Sequence, residues 1–211
     1  MDERTSKWNT RGSMGIELVL ASNNEHKHAE FSRLLPGARV LLPRDLGVSF
    51  DFEENGKTFF DNARGKAMEL FARTARPVLA DDSGLCVRAL GGEPGVHSNR
   101  YGAGPDGRSL ETGKRNSLLL EKLRGVADRA AWFVCCLVLV LEEDRFVVIQ
   151  ETVHGIITEE PRGNNGFGYD PLFLVPDQGK TLAELADAKK DEVSHRGRAA
   201  RRLAACLIER T

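Results

Sequence analysis

The apolar positions of this chain fall into short blocks whose period switches between two and about 3.6, the pattern of strands alternating with helices. Glu17-Leu18-Val19-Leu20-Ala21 is a β-favouring run, and Ser22-Asn23-Asn24 breaks it. From Glu25 to Leu35 the spacing becomes helical, with Phe31, Leu34 and Leu35 on one face and Asn23 or Asn24 placed as N-cap. Leu46 to Phe52 alternates and predicts a second strand. Thr58, followed three residues on by Asp61, resembles a capping box. The helix it opens should run to about Ala75 and bury Phe60, Ala63, Ala67, Leu70 and Phe71.

Pro77 ends that helix, and Val78-Leu79 start a strand leading into Ala80-Asp81-Asp82-Ser83-Gly84. This segment reads in two ways. Asp, Ser and Gly form turns; two adjacent carboxylates at the carboxyl edge of a sheet also suit a cation and a water. Gly84 to Gly107 predicts a structured loop with short strands, and Ser109 to Leu123 a helix. Ala131–Leu141 and Phe146–Val153 predict two long strands joined as a hairpin through Glu142-Glu143-Asp144. Pro171 to Val175 is a further strand candidate, Thr181 caps a short helix, and a last helix runs from about His195 to Glu209. Helices and strands mixed in this way predict an α/β fold with a mixed sheet.

Length and charge narrow the possibilities. The 211 residues carry a formal net charge of −1, so no global basic field exists to hold a nucleic-acid polymer or an acidic membrane surface. Arg198, Arg201 and Arg202 make one basic helical face, read as solvated. The longest apolar run, Ala130 to Leu141, is too short to span a bilayer. The polar stretch 1–15 predicts a disordered extension, with Met14 an alternative start, ahead of a single domain over 16–211. Cys86, Cys135, Cys136 and Cys206 lie in or beside apolar segments without metal-ligand spacing. They read as free thiols in a reducing cytoplasm.

Two glycine patterns mislead. Gly102 to Gly107 fits G-x-G-x-x-G but follows no apolar strand and contains Pro105, so it is not a dinucleotide turn. Gly107 to Lys114 is one residue too long for a Walker loop, and Arg115 stands where a magnesium-binding hydroxyl is required.

Four other clusters share one theme. Ser22-Asn23-Asn24 with Lys27 offers a helix N-terminus, amides and a cation to a phosphate. Glu53-Glu54 and Asp81-Asp82-Ser83 offer the hard oxygens that Mg²⁺ takes alongside water and phosphate. Phe167-Gly168-Tyr169-Asp170 offers a flat base an aromatic surface beside close backbone. Lys190, His195 and Arg196 offer donors to a base carbonyl or to phosphates. Together they point to a nucleoside triphosphate with magnesium.

At this point the chain resembles a known family. Leu20 to Lys27, Glu53 to Phe59 with Asn62-Ala63 and Lys66-Ala67, and Ala80 to Leu85 match the inosine triphosphate pyrophosphatase family. So do Ala89 to Gly95 with Ser98 and Arg100-Tyr101, Pro161 to Gly163, Gly166 to Pro171 and Ser194 to Gly197. The matches fall in the family's order from Glu17 to about Leu207. Departures are Ser22-Asn23-Asn24 in place of the usual Thr-Gly-Asn, Cys86 and Arg88 at positions usually acidic or small, and His97 where Tyr is common.

The resemblance implies an elongated, two-lobed fold around a central mixed sheet, an active-site cleft between the lobes, and a homodimer. It implies cleavage of dITP, ITP or XTP between the α- and β-phosphates, with Mg²⁺ held by Glu53 and Asp82 and, secondarily, Glu54 and Asp81. Asp82 would be the general base. Ser22, Asn23, Asn24 and Lys27 would grip the phosphates. Ser83, Phe167 to Asp170, Lys190, His195 and Arg196 would contact the substrate. Two rival readings are a nucleotide sensor without hydrolysis, and a septum-associated-type pyrophosphatase acting on modified pyrimidine nucleotides.

Overall fold

A computed structural model describes residues 16–104 and 107–208; the expected extension over 1–15 lies outside the described residues. Seven strands form one sheet in the order β2-β1-β3-β4-β5-β6-β7. The strands are β1 (Ile16–Leu20), β2 (Ala38–Leu41), β3 (Val78–Val87), β4 (Ala130–Glu142), β5 (Arg145–Ile157), β6 (Phe173–Val175) and β7 (Lys180–Thr181). The helices are α1 (Glu25–Leu34), α2 (Phe59–Thr74), α3 (Thr112–Lys122), α4 (Asp187–Val193) and α5 (His195–Ile208). β1 pairs in parallel with β2 and β3, and the remaining pairs are antiparallel, so the sheet is mixed.

The helices divide between the two faces of the sheet. Phe31, Leu35, Ala199, Ala200 and Leu203 of and beside α1 and α5 pack on one face against Leu18, Leu20, Leu79, Leu137 and Leu139. Ala63, Ala67 and Leu70 of α2 pack on the other against Val19, Val78, Ala80 and Val138. Farther along the long strands a separate core gathers Leu85, Leu119, Phe133, Val153, Tyr169 and Phe173. The sheet therefore carries two lobes, with α3 and the 170–185 segment in the second.

Most of the expected elements form. Asn24 caps α1, its side chain accepting from the N–H groups of His26 and Lys27. Thr58 and Asp61 close a reciprocal capping box on α2, and the β4–β5 hairpin is longer than its apolar runs suggested. Three expectations need correction. Residues 46–52 form no strand: Leu46, Val48, Phe50 and Phe52 do face inward, onto the α2 core, but that segment has no partner strand. The second strand is instead Ala38–Leu41. Phe60 is exposed, because it lies on the outer side of α2.

The third correction shapes the site. Asp81-Asp82-Ser83-Gly84 is not the end of a strand but the middle of β3, paired residue by residue with β4 from Val78↔Val140 to Val87↔Ala131. Parallel pairing with β1 stops at Leu20↔Leu79. The two aspartates thus lie just past the carboxyl end of β1, where β3 has lost one neighbour. Gly84 is required there, since a Cβ would lie 2.4 Å from the Gly95 carbonyl oxygen.

Helices α4 and α5 meet at Ser194, and their closeness depends on Gly197. A Cβ at Gly197 would stand 1.8 Å from the Asp191 carbonyl oxygen. Gly197→Ala must push α4 off α5 and should cost about 1–3 kcal/mol, as overpacking does. Urea unfolding of the variant against the wild type measures this, and an unchanged midpoint would refute the constraint.

Candidate active site

Adjacent side chains on a strand point to opposite faces, and this separates the two aspartates. Asp81 points toward α1 and α5. Its buried carboxylate meets Lys27 Nζ at 3.0 Å and Arg196 Nη2 at 3.2 Å, accepts from Ser83 Oγ, and lies 3.4 Å from Cys135 Sγ. Burial alone would raise its pKa; Lys27 and Arg196 outweigh burial and hold it well below the usual carboxylate range. Asp82 points toward α2. It accepts from Asn62 Nδ2 at 3.1 Å and from Lys66 Nζ at 3.2 Å. There burial dominates, Glu54 adds to it, and the Asp82 carboxyl is pushed up to about 6 despite Lys66.

Lys66 is buried and also donates to Glu54 Oε1 at 2.6 Å and to the Asp81 carbonyl oxygen at 2.9 Å. Glu54 faces Arg100 as well, with Nη1 3.4 Å from Oε2 and Nη2 donating to the Glu54 carbonyl at 2.5 Å. Asp82 and Glu54 thus share one ammonium on the wall of a cavity of about 400 Å³, within the range of small-molecule sites.

Most of the expected residues line that cavity: Ser22, Asn23, Asn24, Lys27, Glu54, Asp82, Ser83, Phe167, Gly168, Tyr169, Asp170, His195 and Arg196. Glu53, Asp81 and Lys190 do not. Glu53 is exposed, because successive side chains alternate in the extended 50–54 stretch; Glu54 takes the inward place that the resemblance gave to its neighbour. The Asn24 side chain is committed to capping α1, and Asn23 Nδ2 donates to the Phe50 carbonyl at 2.6 Å. Ser22 Oγ accepts from the Asn24 N–H. These contacts shape the loop, leaving Lys27 as its cation.

The residues expected on the base side form a second charged cluster. Glu30 of α1, buried, accepts from Lys190 Nζ and Arg196 Nη1, both at 2.6 Å. Lys190 also donates to Asp170 Oδ2 at 2.8 Å, and that oxygen accepts from the Phe167 N–H. The Phe167 ring lies against His26, Lys190 and Arg196. His195 stacks on Phe133, centroids 4.5 Å apart. Burial, aided by Arg196, lowers its pKa to about 3, so the ring is neutral, and its buried Nδ1 has no partner in the protein. Tyr169 is buried and donates to the Ser98 carbonyl.

Sequence reasoning gave no role to Glu30, Asn62, Lys66, Arg100 or Arg115, all of which build the site. Asn62, Lys66 and Arg100 stood inside the quoted motifs with no chemistry assigned to them. The detectable signal was Lys66 among the small residues Ala63 and Ala67 on the buried face of α2.

Glu30 yields a pH-dependent prediction. Burial would raise its pKa, yet Arg196 and Lys190 bring it down to about 2 from 4.5. Its contribution to stability is complete above pH 4.5 and is lost as pH falls toward 2. Glu30→Gln leaves Lys190 with Asp170 alone and Arg196 with Asp81 alone, and removing the shared buried carboxylate should cost ~3–5 kcal/mol at pH 7. That gap should close as pH falls from 4.5 toward 2, measured by denaturant unfolding of both proteins; a pH-independent gap would show that the charge is not what matters.

Comparison with known proteins agrees with this geometry. The model of the Ham1 family matches residues 18–206. A dITP/XTP pyrophosphatase of Treponema denticola is 50% identical over 184 residues, 87% of this chain and 94% of that protein. One from Nitrosomonas europaea is 46% identical over 92% of this chain and 95% of its own. Among solved structures, the Staphylococcus aureus Ham1 protein superposes with a TM-score of 0.81 at 40% identity, covering 92% of this chain and all (100%) of its own. A HAM1 protein from Coxiella burnetii gives 0.82 at 40% identity, covering 92% and 99%. This chain belongs to the Ham1 family.

Proposed function

We propose that this protein hydrolyses non-canonical purine nucleoside triphosphates, dITP, ITP and XTP, to the monophosphate and pyrophosphate. The observation that carries the reading is the Asp82–Lys66–Glu54 group. A carboxyl held near 6 stands beside a second carboxylate and a buried ammonium, in one cavity with a cationic helix start and an aromatic base-sized wall. The names of the relatives support the same substrate class.

In this reading the attacking water bonds to the α-phosphorus and gives its proton to Asp82. The bond from that phosphorus to the bridging oxygen breaks, and pyrophosphate leaves with it. Lys27 holds the phosphate oxygens, while Lys66, its three donors given to Glu54, Asp82 and the Asp81 carbonyl, positions the two carboxylates. Glu54 and Asp82, hard oxygen donors already gathered on one cation, fit a divalent ion such as Mg²⁺ and would hold it where it would neutralise charge on the phosphates. Among the described residues no set of three His, Cys, Asp or Glu is arranged for a metal, so the protein supplies only part of the shell.

Phe167 gives the base its face, and neutral His195, lining the same cavity, can present an N–H to the 6-oxo group. The 6-amino group of adenine would set donor against donor, and a buried unpaired group discriminates strongly. Lys190 and Asp170 act from behind, fixing the loop and the Phe167 ring rather than touching the base.

A homodimer is part of the reading: Phe146, Val148 and Ile156 stand exposed on one face of β5. Cytoplasmic residence is supported by free cysteines, three of them buried. Small nucleotides rather than a nucleic-acid polymer fit a cavity of about 400 Å³. Arg201 and Arg202 of the basic helical face are bonded to Asp191, Glu192 and Glu151.

Pyrophosphate release from ITP, XTP, GTP and ATP tests this. Turnover should favour ITP and XTP, and Asp82→Asn should lower kcat by about 10²–10⁴-fold while leaving the fold intact. Because Asp82 must be ionised, kcat/KM should fall with acid through a pKa at or below about 6, since a bound cation favours the carboxylate. Binding of ITP with no turnover would leave a sensor instead.

A further inference from the structure

The polar groups of the cavity form an ordered row. Arg196 and Lys27 share the Asp81 carboxylate. Lys27 and Lys66 share the Asp81 carbonyl oxygen, at 3.3 and 2.9 Å. Lys66 and Arg100 share Glu54. The order is therefore Arg196, Lys27, Lys66, Arg100, with the base-facing Phe167 against Arg196 at one end. A polyanion whose base lies at the Phe167 end runs along the other three cations, and its terminal phosphates arrive at Arg100.

Arg100 also differs from the other arginines of the cavity. Arg196 is buried and spent on Asp81 and Glu30. Arg115 is buried, and its terminal nitrogens donate to the Asn99 and Leu110 carbonyls and to Thr112. The Arg100 side chain is 32% exposed, and its contact with the Glu54 carboxylate is long at 3.4 Å. Its Nε donates to His97 Nδ1 at 3.2 Å, and its Nη2 to the Glu54 backbone. One edge of the guanidinium is thus anchored while Nη1 has only a weak partner.

Resting on the hydrolytic reading above, we propose that Arg100 is a substrate-contacting residue that binds the departing pyrophosphate. It turns Nη1 from Glu54 to the terminal phosphate oxygens while His97 and the Glu54 carbonyl hold its other edge. A guanidinium presents paired donors that match phosphate geometry, which an ammonium does not.

The test compares wild type, Arg100→Ala and Arg100→Lys by calorimetric binding of inorganic pyrophosphate and of IMP, with and without Mg²⁺, and by ITP turnover. Arg100→Ala should weaken pyrophosphate binding roughly tenfold or more, the worth of a charge-assisted hydrogen bond. IMP affinity should stay unchanged, and lysine should restore part of the loss. Unchanged pyrophosphate affinity would overturn the proposal, as would equal weakening of pyrophosphate and IMP, which marks a purely structural arginine. If Arg100→Ala does not fold, Arg100→Lys and Arg100→Gln give the same comparison. A wild type that binds pyrophosphate but turns over no ITP would sink the hydrolytic reading and still leave the Arg100 comparison decisive.

Discussion

The Asp81 carboxylate is the charge on which the rest of the site depends. It lies wholly inside the protein, in mid-strand, and no unpaired carboxylate is tolerable there. Lys27 from the start of α1 and Arg196 from the start of α5 neutralise it from two directions. Glu30 then balances Arg196 and recruits Lys190, which in turn binds Asp170. A single buried charge thus ties β3, α1, α4, α5 and the 167–170 loop into one alternating chain of ions. Such a network need not add net stability over apolar packing. Its use is positional, since a shift at any member leaves its neighbour buried and unpaired.

That network also separates the residues expected to read a base from one another. Lys190 and Arg196 were assigned as donors to the substrate because their type and spacing allow it. The structure commits the donors of Lys190 to Glu30 and Asp170, and those of Arg196 to Asp81 and Glu30. What they give the 167–170 loop is a fixed cationic backing for the Phe167 ring. His195, stacked on Phe133 and kept neutral, retains free hydrogen-bonding capacity.

The sequence was legible where a local rule and the tertiary structure agreed. The Thr58–Asp61 box, the Asn24 cap and the long apolar hairpin each form as local chemistry demands. It misled where one signal had two physical causes. Leu46 to Phe52 alternates because Leu46, Val48, Phe50 and Phe52 are rooted in the α2 core, and period-two burial needs no sheet. Asp81 to Gly84 has turn composition, yet ten residues of pairing with β4 overrule it. Whether Glu53 or Glu54 turns inward depends on the phase of an extended segment, which its neighbours in the fold set. Lys66 and Glu30 were hidden because a buried, paired charge and a solvated one look the same in a sequence.

The two aspartates show how little sequence separation a division of labour requires. They are neighbours with the same side chain, and strand geometry alone sends them to opposite faces. On the α1–α5 face two cations converge, and Asp81 stays ionised as a structural anion. On the α2 face the one cation bonded to Asp82 is Lys66, which Glu54 shares, so burial prevails and the Asp82 carboxyl rises to about 6. A pair of carboxyls driven apart in this way is the arrangement that lets one fix charge while the other exchanges protons. The cations bonded to each carboxylate, not the identity of the residue, decide which of the two aspartates is raised.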